Sequence, residues 1–432
     1  MSDKNSAENF TNKTIIQKAI DLWYKIICTE QKYFVIWILF SASTLLILAI
    51  VGINRPFWGD ERHYFETIKL FGQSAYPRIW FDYPEVTPPL FYMLFAALGK
   101  FVGYTLFSFR IISLVIGFIV SVLMFLFSEQ CIREARKTFF LCIILMLNPY
   151  FLGLSLFVFN DMVALLFLLC SAMCFINNKY LFSAIFLGLG LLCRQYIFFA
   201  MCAMWFTKFL ESLYSHNWKV IKQFTAYLAV TTLPLAILMI LWGGMAPPAG
   251  TQKWVLYGLH IWSPQSFIMY IAFSGLYLLP VIIITKRNQF KVNWIFFTSI
   301  ILGLFSFLYP IEASVVAQIQ IHKSTVGLVH KAIIFLVGHG SIESIIFYGT
   351  TSLGFWILLS FLQRDVQKIK MKYFKKENMF SISFYFFLCI MPFSYQRWEK
   401  YLVLILPFVA IGWILMAREV DAEKTSGKIL QT

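Results

Sequence analysis

The chain is 432 residues long, 59% of them hydrophobic and only 13% charged. Soluble domains carry about 25% charged residues, so this composition excludes an ordinary soluble enzyme, and its apolar content equally excludes a disordered chain. The formal net charge of +15 points to nucleic acid only if the basic residues ignore the charge bias that sets membrane topology.

Residues 1–33 carry Lys4, Lys13, Lys18, Lys25 and Lys32 among acids and amides. They lack the compact basic region, short apolar core and small-residue cleavage site of a signal peptide. They read as a cytosolic tail ahead of a retained first span at 34–53. Crossing the hydrocarbon takes about 20 apolar residues. Further candidate spans follow at 107–128, 139–157, 161–176, 180–193, 196–210, 219–242, 265–286, 292–310, 342–362, 379–396 and 401–417. That makes about twelve, within a range of 11–13. A second cytosolic tail occupies 418–432. The expected fold is an all-α polytopic membrane protein with one membrane domain over 34–417.

The segment 88–102 is apolar but, at 15 residues, reaches only about 22 Å as a helix. Counting Lys and Arg decides its place. If it does not span, 24 lie on the cytosolic side and 12 on the other; if it spans, the numbers become 13 and 23. The positive-inside rule selects the first arrangement. Segment 88–102 is therefore expected at the outer interface, within a structured first outer loop over 54–106. The same count keeps 180–193 and 196–210 as separate spans. With this topology the cytosolic segments carry a net +12 and the outer side +3, so most of the basic excess is topology and no nucleic-acid partner is implied.

The outer loops 54–106, 243–264 and 311–341 hold acids, histidines and aromatic residues, whereas the cytosolic loops are short and basic. Irregular backbone near a membrane persists only where protein or water satisfies it, so a built site is expected on the outer side. The eight cysteines avoid these loops, and no disulfide framework or metal-ligand spacing is present. The sequon at Asn12 falls in the expected cytosolic tail.

The first outer loop opens Trp58-Gly59-Asp60-Glu61-Arg62-His63. Adjacent carboxylates just past a span suit a general base with a second acid that orients it or binds substrate; solvated loop charge is the plain alternative. The loop closes Thr87-Pro88-Pro89-Leu90-Phe91-Tyr92, a rigid turn from which a helix can start. Arg110 opens the second span and either snorkels or serves the site. Arg194, followed by Gln195 and Tyr196, forms a polar cluster in an apolar hairpin, and arginine suits bidentate phosphate contacts. Asn160-Asp161 reads as a helix cap or as part of a site. The turn Tyr395-Gln396-Arg397-Trp398-Glu399-Lys400-Tyr401 sets two cations against one acid, either as an interfacial anchor or as a pocket for a lipid phosphate. His63, His260, His322, His330 and His339 all fall in outer loops, without ligand spacing.

Together these features resemble the GT-C class of polytopic glycosyltransferases, which use a polyprenyl-phosphate sugar as donor on the non-cytosolic face. Asp60-Glu61 resembles the acidic motif of that class. The run Thr87-Pro88-Pro89-Leu90-x-Tyr92 is similar to an element of the protein O-mannosyltransferase and lipid A aminoarabinose transferase branches. A narrower similarity, to dolichyl-phosphoglucose-dependent α-1,2-glucosyltransferases, runs through Asp60-Glu61-x-His63, Thr87-Pro88-Pro89, Arg194-Gln195, Trp242-x-Gly244 and His260 with Pro264-Gln265. The Gly-Asp-Lys-Ser stretch of that family is absent between Gly244 and His260. The resemblance implies inverting transfer to an acceptor hydroxyl of a glycan, lipid or protein. Asp60 would be the base, with Glu61 beside it. Arg397, Lys400 and Arg194 would bind the donor phosphate. His63, Tyr92, His260 and Gln265 would contact substrate, and no metal or other cofactor is required. Segments 88–102 and 311–341 would flank a groove for the lipid tail. A prokaryotic plasma membrane is the expected location, the endoplasmic reticulum the alternative. A transporter or lipid flippase without transferase activity is the competing class, but the two halves of the chain show no similarity of the kind transporters carry.

Overall fold

The computed structural model describes residues 31–74, 77–250, 262–285, 294–314, 317–318, 324–394 and 396–429, with side chains described up to 419. Every described element is helical, and no strand occurs among these residues. The helices are α1 (Gln31–Gly52), α2 (Glu61–Gln73), α3 (Leu90–Val102), α4 (Leu106–Ile132), α5 (Ala135–Met146), α6 (Pro149–Leu156), α7 (Asp161–Ile176) and α8 (Tyr180–Cys193). They continue with α9 (Phe198–Ser215), α10 (Trp218–Trp242), α11 (Pro264–Thr285), α12 (Trp294–Gly303), α13 (Leu328–Val337), α14 (Ser341–Lys370), α15 (Met379–Ile390) and α16 (Leu406–Ile429).

Six of these are long and apolar enough to cross a membrane: α1, α4, α9 with its leading 3₁₀ turn, α10, α11 and α14. The chain thus has the build of an all-α membrane-embedded protein. The other apolar segments also fold as helices, but several are short. The expected span at 139–157 is broken into α5 and α6, bent by 69°. The cause is local: Pro149 has no amide to continue the ladder, and Asn148 caps the new helix by accepting from the Tyr150 amide (2.9 Å). Within the expected span at 292–310, the described residues form one short apolar helix, Trp294–Leu308, with a turn at Leu304. At the other end of the chain, α16 starts at Leu406 and runs on to Ile429, through most of the segment read as a tail.

The C-terminal end of α4, joined by that of α7, and the C-terminal end of α14 meet residues 418–419 of α16, so these four helices run in the same direction. At one end Gln130 bonds Asn177 (2.9 Å), Arg418 donates to the Ile132 carbonyl (3.1 Å), and Arg364 holds Glu419 in a two-pronged ion pair (2.8 and 3.1 Å). The start of α2, the start of α7, the α8–α9 junction and residues 396–401 meet at the opposite end, through the contacts described below. In the bundle, α11 crosses α14 closely. A methyl group on Gly275 would run into the Thr350 carbonyl, and one on Gly354 into the Ile271 carbonyl; small residues let helix backbones approach where no hydrophobic force drives them together.

Segment 54–106 is structured. Helix α3, 13 residues long, spans about 20 Å and packs on α2. It buries Phe91, Tyr92 and Phe95 and leaves Leu98, Phe101 and Val102 exposed.

Candidate functional site

Gly59 has a left-handed backbone (φ 57°), which turns the chain into α2 at no steric cost. Asp60 is the N-cap of α2, and its carbonyl accepts from the His63 amide (3.0 Å). Its carboxylate caps no helix amide. It meets the Lys400 ammonium instead, at 3.2 Å and across 340 residues of chain. Asp60 is 42% exposed and Lys400 13%. The Lys400 ammonium also lies 5.2 Å from the Phe159 ring and 6.0 Å from the rings of Trp398 and Tyr401, an aromatic surround that favours a fixed cation.

Glu61 points the other way. It is fully buried and forms a two-pronged ion pair with the equally buried Arg110, at 2.9 Å to Nε and 2.6 Å to Nη2. It also accepts the Trp58 and Val158 amides, each at 3.1 Å. Arg110 donates further to the carbonyls of Ile53 (2.8 Å), Arg55 and Pro56 (3.1 Å), satisfying the end of α1, where helix carbonyls lack partners. Arg110 therefore does not snorkel, and Glu61 does not face an acceptor. The pair is a latch joining the end of α1, the start of α2, α4 and the strap before α7.

Arg194 is buried between α8 and the 3₁₀ turn at Gln195–Ile197. Its Nη1 donates to Asn160 (2.6 Å), and its Nε lies 2.9 Å from Asp161 in an ion pair without hydrogen-bond alignment. Its guanidinium faces the Tyr196 and Tyr401 rings at 5.3 and 5.0 Å. Gln195 donates to the carbonyls of Val86 (2.7 Å) and Met245 (3.2 Å), and Tyr196 bonds Ser394 (3.0 Å). The three residues tie the Pro-Pro loop, α7 and the 394–401 turn to one place.

Arg397, on that turn, makes no direct hydrogen bond or ion pair among the described residues. Burial draws its pKa below the ordinary arginine value, with Glu312 and the Tyr270 phenol opposing. The Tyr270 hydroxyl is itself buried without a hydrogen-bond partner among the described residues. Gln265 accepts from Ser263 (3.2 Å), whose amide donates to the Pro392 carbonyl (3.0 Å), so it stands at the base of the same turn. His63 occupies the first turn of α2, half-buried. Tyr92 is wholly buried, bonded to Thr87 (2.8 Å) and stacked near Tyr64. It is a core residue of the loop domain, with no face toward a substrate. His260 lies outside the described residues.

Glu399 is the residue the sequence concealed. It is fully buried, and its carboxylate caps the N-terminus of α13, accepting the amides of Val329 (3.1 Å) and His330 (2.7 Å) and the Tyr277 hydroxyl (3.2 Å). Burial pushes its pKa up to about 7 against these hydrogen bonds. His330 accepts the Val326 amide at Nδ1 (3.2 Å), which leaves Nε2 as the donor to Glu343 (2.8 Å). The ring's pKa is lowered by burial. Only a buried position separates Glu399 from an ordinary surface acid, and nothing in the string Trp-Glu-Lys marks it.

Asp60, Lys400, Arg194, Arg397 and Gln265 are thus gathered around one turn, while Glu61 and Tyr92 are spent on structure. No group of three or more His, Cys, Asp or Glu among the described residues is arranged to hold a metal ion. No family model matches the chain, and no curated protein or solved structure matches it significantly.

Proposed function

We propose that the chain is a membrane glycosyltransferase of GT-C type that moves a sugar from a polyprenyl phosphate to an acceptor hydroxyl on the non-cytosolic face. About twelve membrane passages, including short and broken ones, belong to this reading, as does the charge-derived topology. The observation that carries it is the Asp60–Lys400 contact, with its half-exposed carboxylate, on the same turn as Arg397, which among the described residues makes no direct hydrogen bond or ion pair and is met electrostatically by Glu312 and Tyr270. An inverting transfer needs both elements: a base for the incoming hydroxyl and positive charge for the departing phosphate.

In the proposed reaction Asp60 takes the acceptor proton as the oxygen attacks the anomeric carbon. The bond from that carbon to the phosphate oxygen breaks, and its electron pair leaves with the lipid phosphate. Arg397 and Lys400 meet the charge; Lys400, already on Asp60, has two further N–H groups for the phosphate. Arg194, committed to Asn160 and Asp161, positions the Tyr196 and Tyr401 rings rather than touching the donor. Glu61 and Arg110 hold the backbone from which Asp60 projects.

Purified protein in proteoliposomes with a radiolabelled polyprenyl-phosphate hexose and membrane lipid extract tests this reading. Wild type is expected to transfer or slowly hydrolyse the sugar, and Asp60→Asn to lose about 10²-fold or more. Wild-type rates in Asp60→Asn would exclude Asp60 as the base.

A further inference from the structure

Helix α13 is ten residues long, about 15 Å and too short to cross a membrane. Its two sides differ. One side is bound to the site. The Leu328 amide donates to the Tyr150 hydroxyl (2.5 Å), and the Val329 and His330 amides donate to the Glu399 carboxylate. The Glu399 amide donates back to the Val326 carbonyl (3.2 Å). The His330 ring is buried against Glu343 and lies edge-on to Phe347 of α14, 5.2 Å between centroids. The amides that a first helical turn leaves without partners are thus taken up by one residue of the 396–401 turn and one of α6. Glu399 is the chain neighbour of Lys400, whose ammonium holds Asp60.

The other side faces outward. Leu328, Lys331, Ala332, Phe335 and Leu336 are exposed. They recur at the spacing of one helix face and cover an arc of about 140° at 100° per residue. Phe335 is 87% exposed and Leu336 78%. An amphipathic helix on a wet surface turns its polar side outward. Helix α13 does the opposite: it buries a histidine and presents phenylalanine and leucine, with Lys331 as the one charge among them.

The surroundings identify the occupant of this face. Residues 338–340 alone link α13 to α14, so the two helix ends lie within about 14 Å. Helix α14 is long and apolar enough to cross a membrane, and its first two turns carry Ile342 and Ile345, 57% and 62% exposed. Just beyond α12, Phe307 and Leu308 are exposed as well, and Phe307 stacks on Tyr348 of α14. The outward face of α13 therefore continues an apolar surface that belongs to a membrane-crossing helix. A lysine on such a face suits the bilayer boundary, where its stem lies along apolar surface and its ammonium reaches lipid phosphate.

We propose that α13 is seated in the bilayer boundary at this end of the bundle, with Phe335 and Leu336 among acyl chains and Lys331 at phospholipid headgroups, and that this seat fixes Glu399 and thereby Lys400. The lipid surface is then a structural partner of the Asp60–Lys400 contact. The proposal goes beyond the transferase reading and does not depend on it, since the hydrogen bonds from α13 to Glu399 are the same whatever chemistry the site performs.

Two measurements on the full chain in phosphatidylcholine proteoliposomes test it. In the first, p-benzoylphenylalanine replaces Phe335, and irradiation is followed by mass spectrometry. The yield is referred to the same label at Ile47, 63% exposed on α1. A phospholipid adduct is expected. Adducts confined to this chain or to a second copy of it, or no adduct where Ile47 captures lipid, would overturn the seat. In the second, amide hydrogen exchange is compared between wild type and Phe335→Glu/Leu336→Glu. Carboxylates are driven out of the hydrocarbon boundary, so Leu328–His330 and Glu399 are expected to exchange faster by roughly tenfold, with α4 and α7 unchanged. Phe335→Leu keeps an apolar side chain and is expected to exchange like wild type. Wild-type exchange at Glu399 in the double variant would overturn the coupling to Lys400. Should the charged variant lose protection throughout, the adduct still decides, because that measurement needs no charged substitution. Neither measurement uses a sugar donor, so failure of the seat leaves the transferase reading as it was, and failure of transfer leaves the seat.

Discussion

The Glu61–Arg110 latch gives a prediction whose size follows from its burial. Both side chains are 0% exposed. Removing either charge strands the other in a low-dielectric interior, which costs about 3–5 kcal/mol. For Glu61→Gln the geometry softens part of this, since an amide still accepts from Val158 or Trp58. Arg110 also keeps its carbonyl partners at Ile53, Arg55 and Pro56. We therefore expect about 3 kcal/mol for Glu61→Gln and the upper end of the range for Arg110→Met, which frees those carbonyls as well. The double variant Glu61→Leu/Arg110→Met removes both charges and should cost less than the sum of its singles, with a coupling of about 2–3 kcal/mol. Unfolding by SDS in mixed micelles, followed through the 13 tryptophans, measures each corner of the cycle. Additive losses, or losses near zero, would refute the latch. A Glu61→Gln protein of full stability but without activity would return Glu61 to the chemistry.

Arg397→Gln should raise the KM for a polyprenyl-phosphate sugar roughly tenfold or more, with a smaller change in the acceptor KM; an unchanged donor KM in steady-state kinetics would mark Arg397 as an interfacial anchor only. Glu399 makes stability depend on pH. Its folded pKa of about 7 exceeds the ordinary 4.5, so the folded state holds the proton that the unfolded state has lost between those values. The resulting stabilisation is complete below about pH 4.5 and disappears as pH rises to about 7, an effect of about 3 kcal/mol. Tm of the wild type relative to Glu399→Gln should fall over that window, and a flat difference would contradict the assignment. A methyl group at Gly327 would meet the Tyr150 hydroxyl and approach the Glu399 carboxylate to 2.6 Å. Gly327→Ala should therefore expose α13 to faster amide exchange at Leu328–His330, with the remaining helices unchanged.

Much of the architecture was legible because it rests on length and hydropathy. Among the described residues each apolar segment folds wholly or largely as helix, and it is the charge count that sets the short 88–102 apart from the expected spans. The break before Pro149 was missed, because a hydropathy window runs across the Asn-Pro pair and 139–157 reads as one span. Side-chain direction was not legible. Successive residues entering a helix point about 100° apart, so Asp60 and Glu61, identical in promise as a string, look into different environments. The partners that decide between them, Arg110 and Lys400, stand 49 and 340 residues away. Tyr92 shows the same limit. Its Pro-Pro-Leu surroundings mark a loop near the site, yet only packing against Tyr64, Phe71 and Tyr83 places its ring in the core.

The same arrangement occurs twice, and the two copies face each other. In Asp60-Glu61 the second residue is buried and bonded to backbone amides and Arg110, and the first is left half-exposed. In Glu399-Lys400 the first residue is buried and bonded to the α13 amides, and the second reaches outward. Each reaching charge is thus flanked in sequence by a buried acid that cannot rotate without losing several hydrogen bonds. A salt bridge between mobile side chains in a half-exposed position is worth little; one whose two backbones are each fixed from behind pays less entropy and keeps its geometry. The 3.2 Å Asp60–Lys400 contact is of the second kind. In the proposed transferase that preorganisation would offer a carboxylate to the acceptor hydroxyl and a cation to the donor phosphate from one turn, and it gives all four charged residues a part in a contact that two would make.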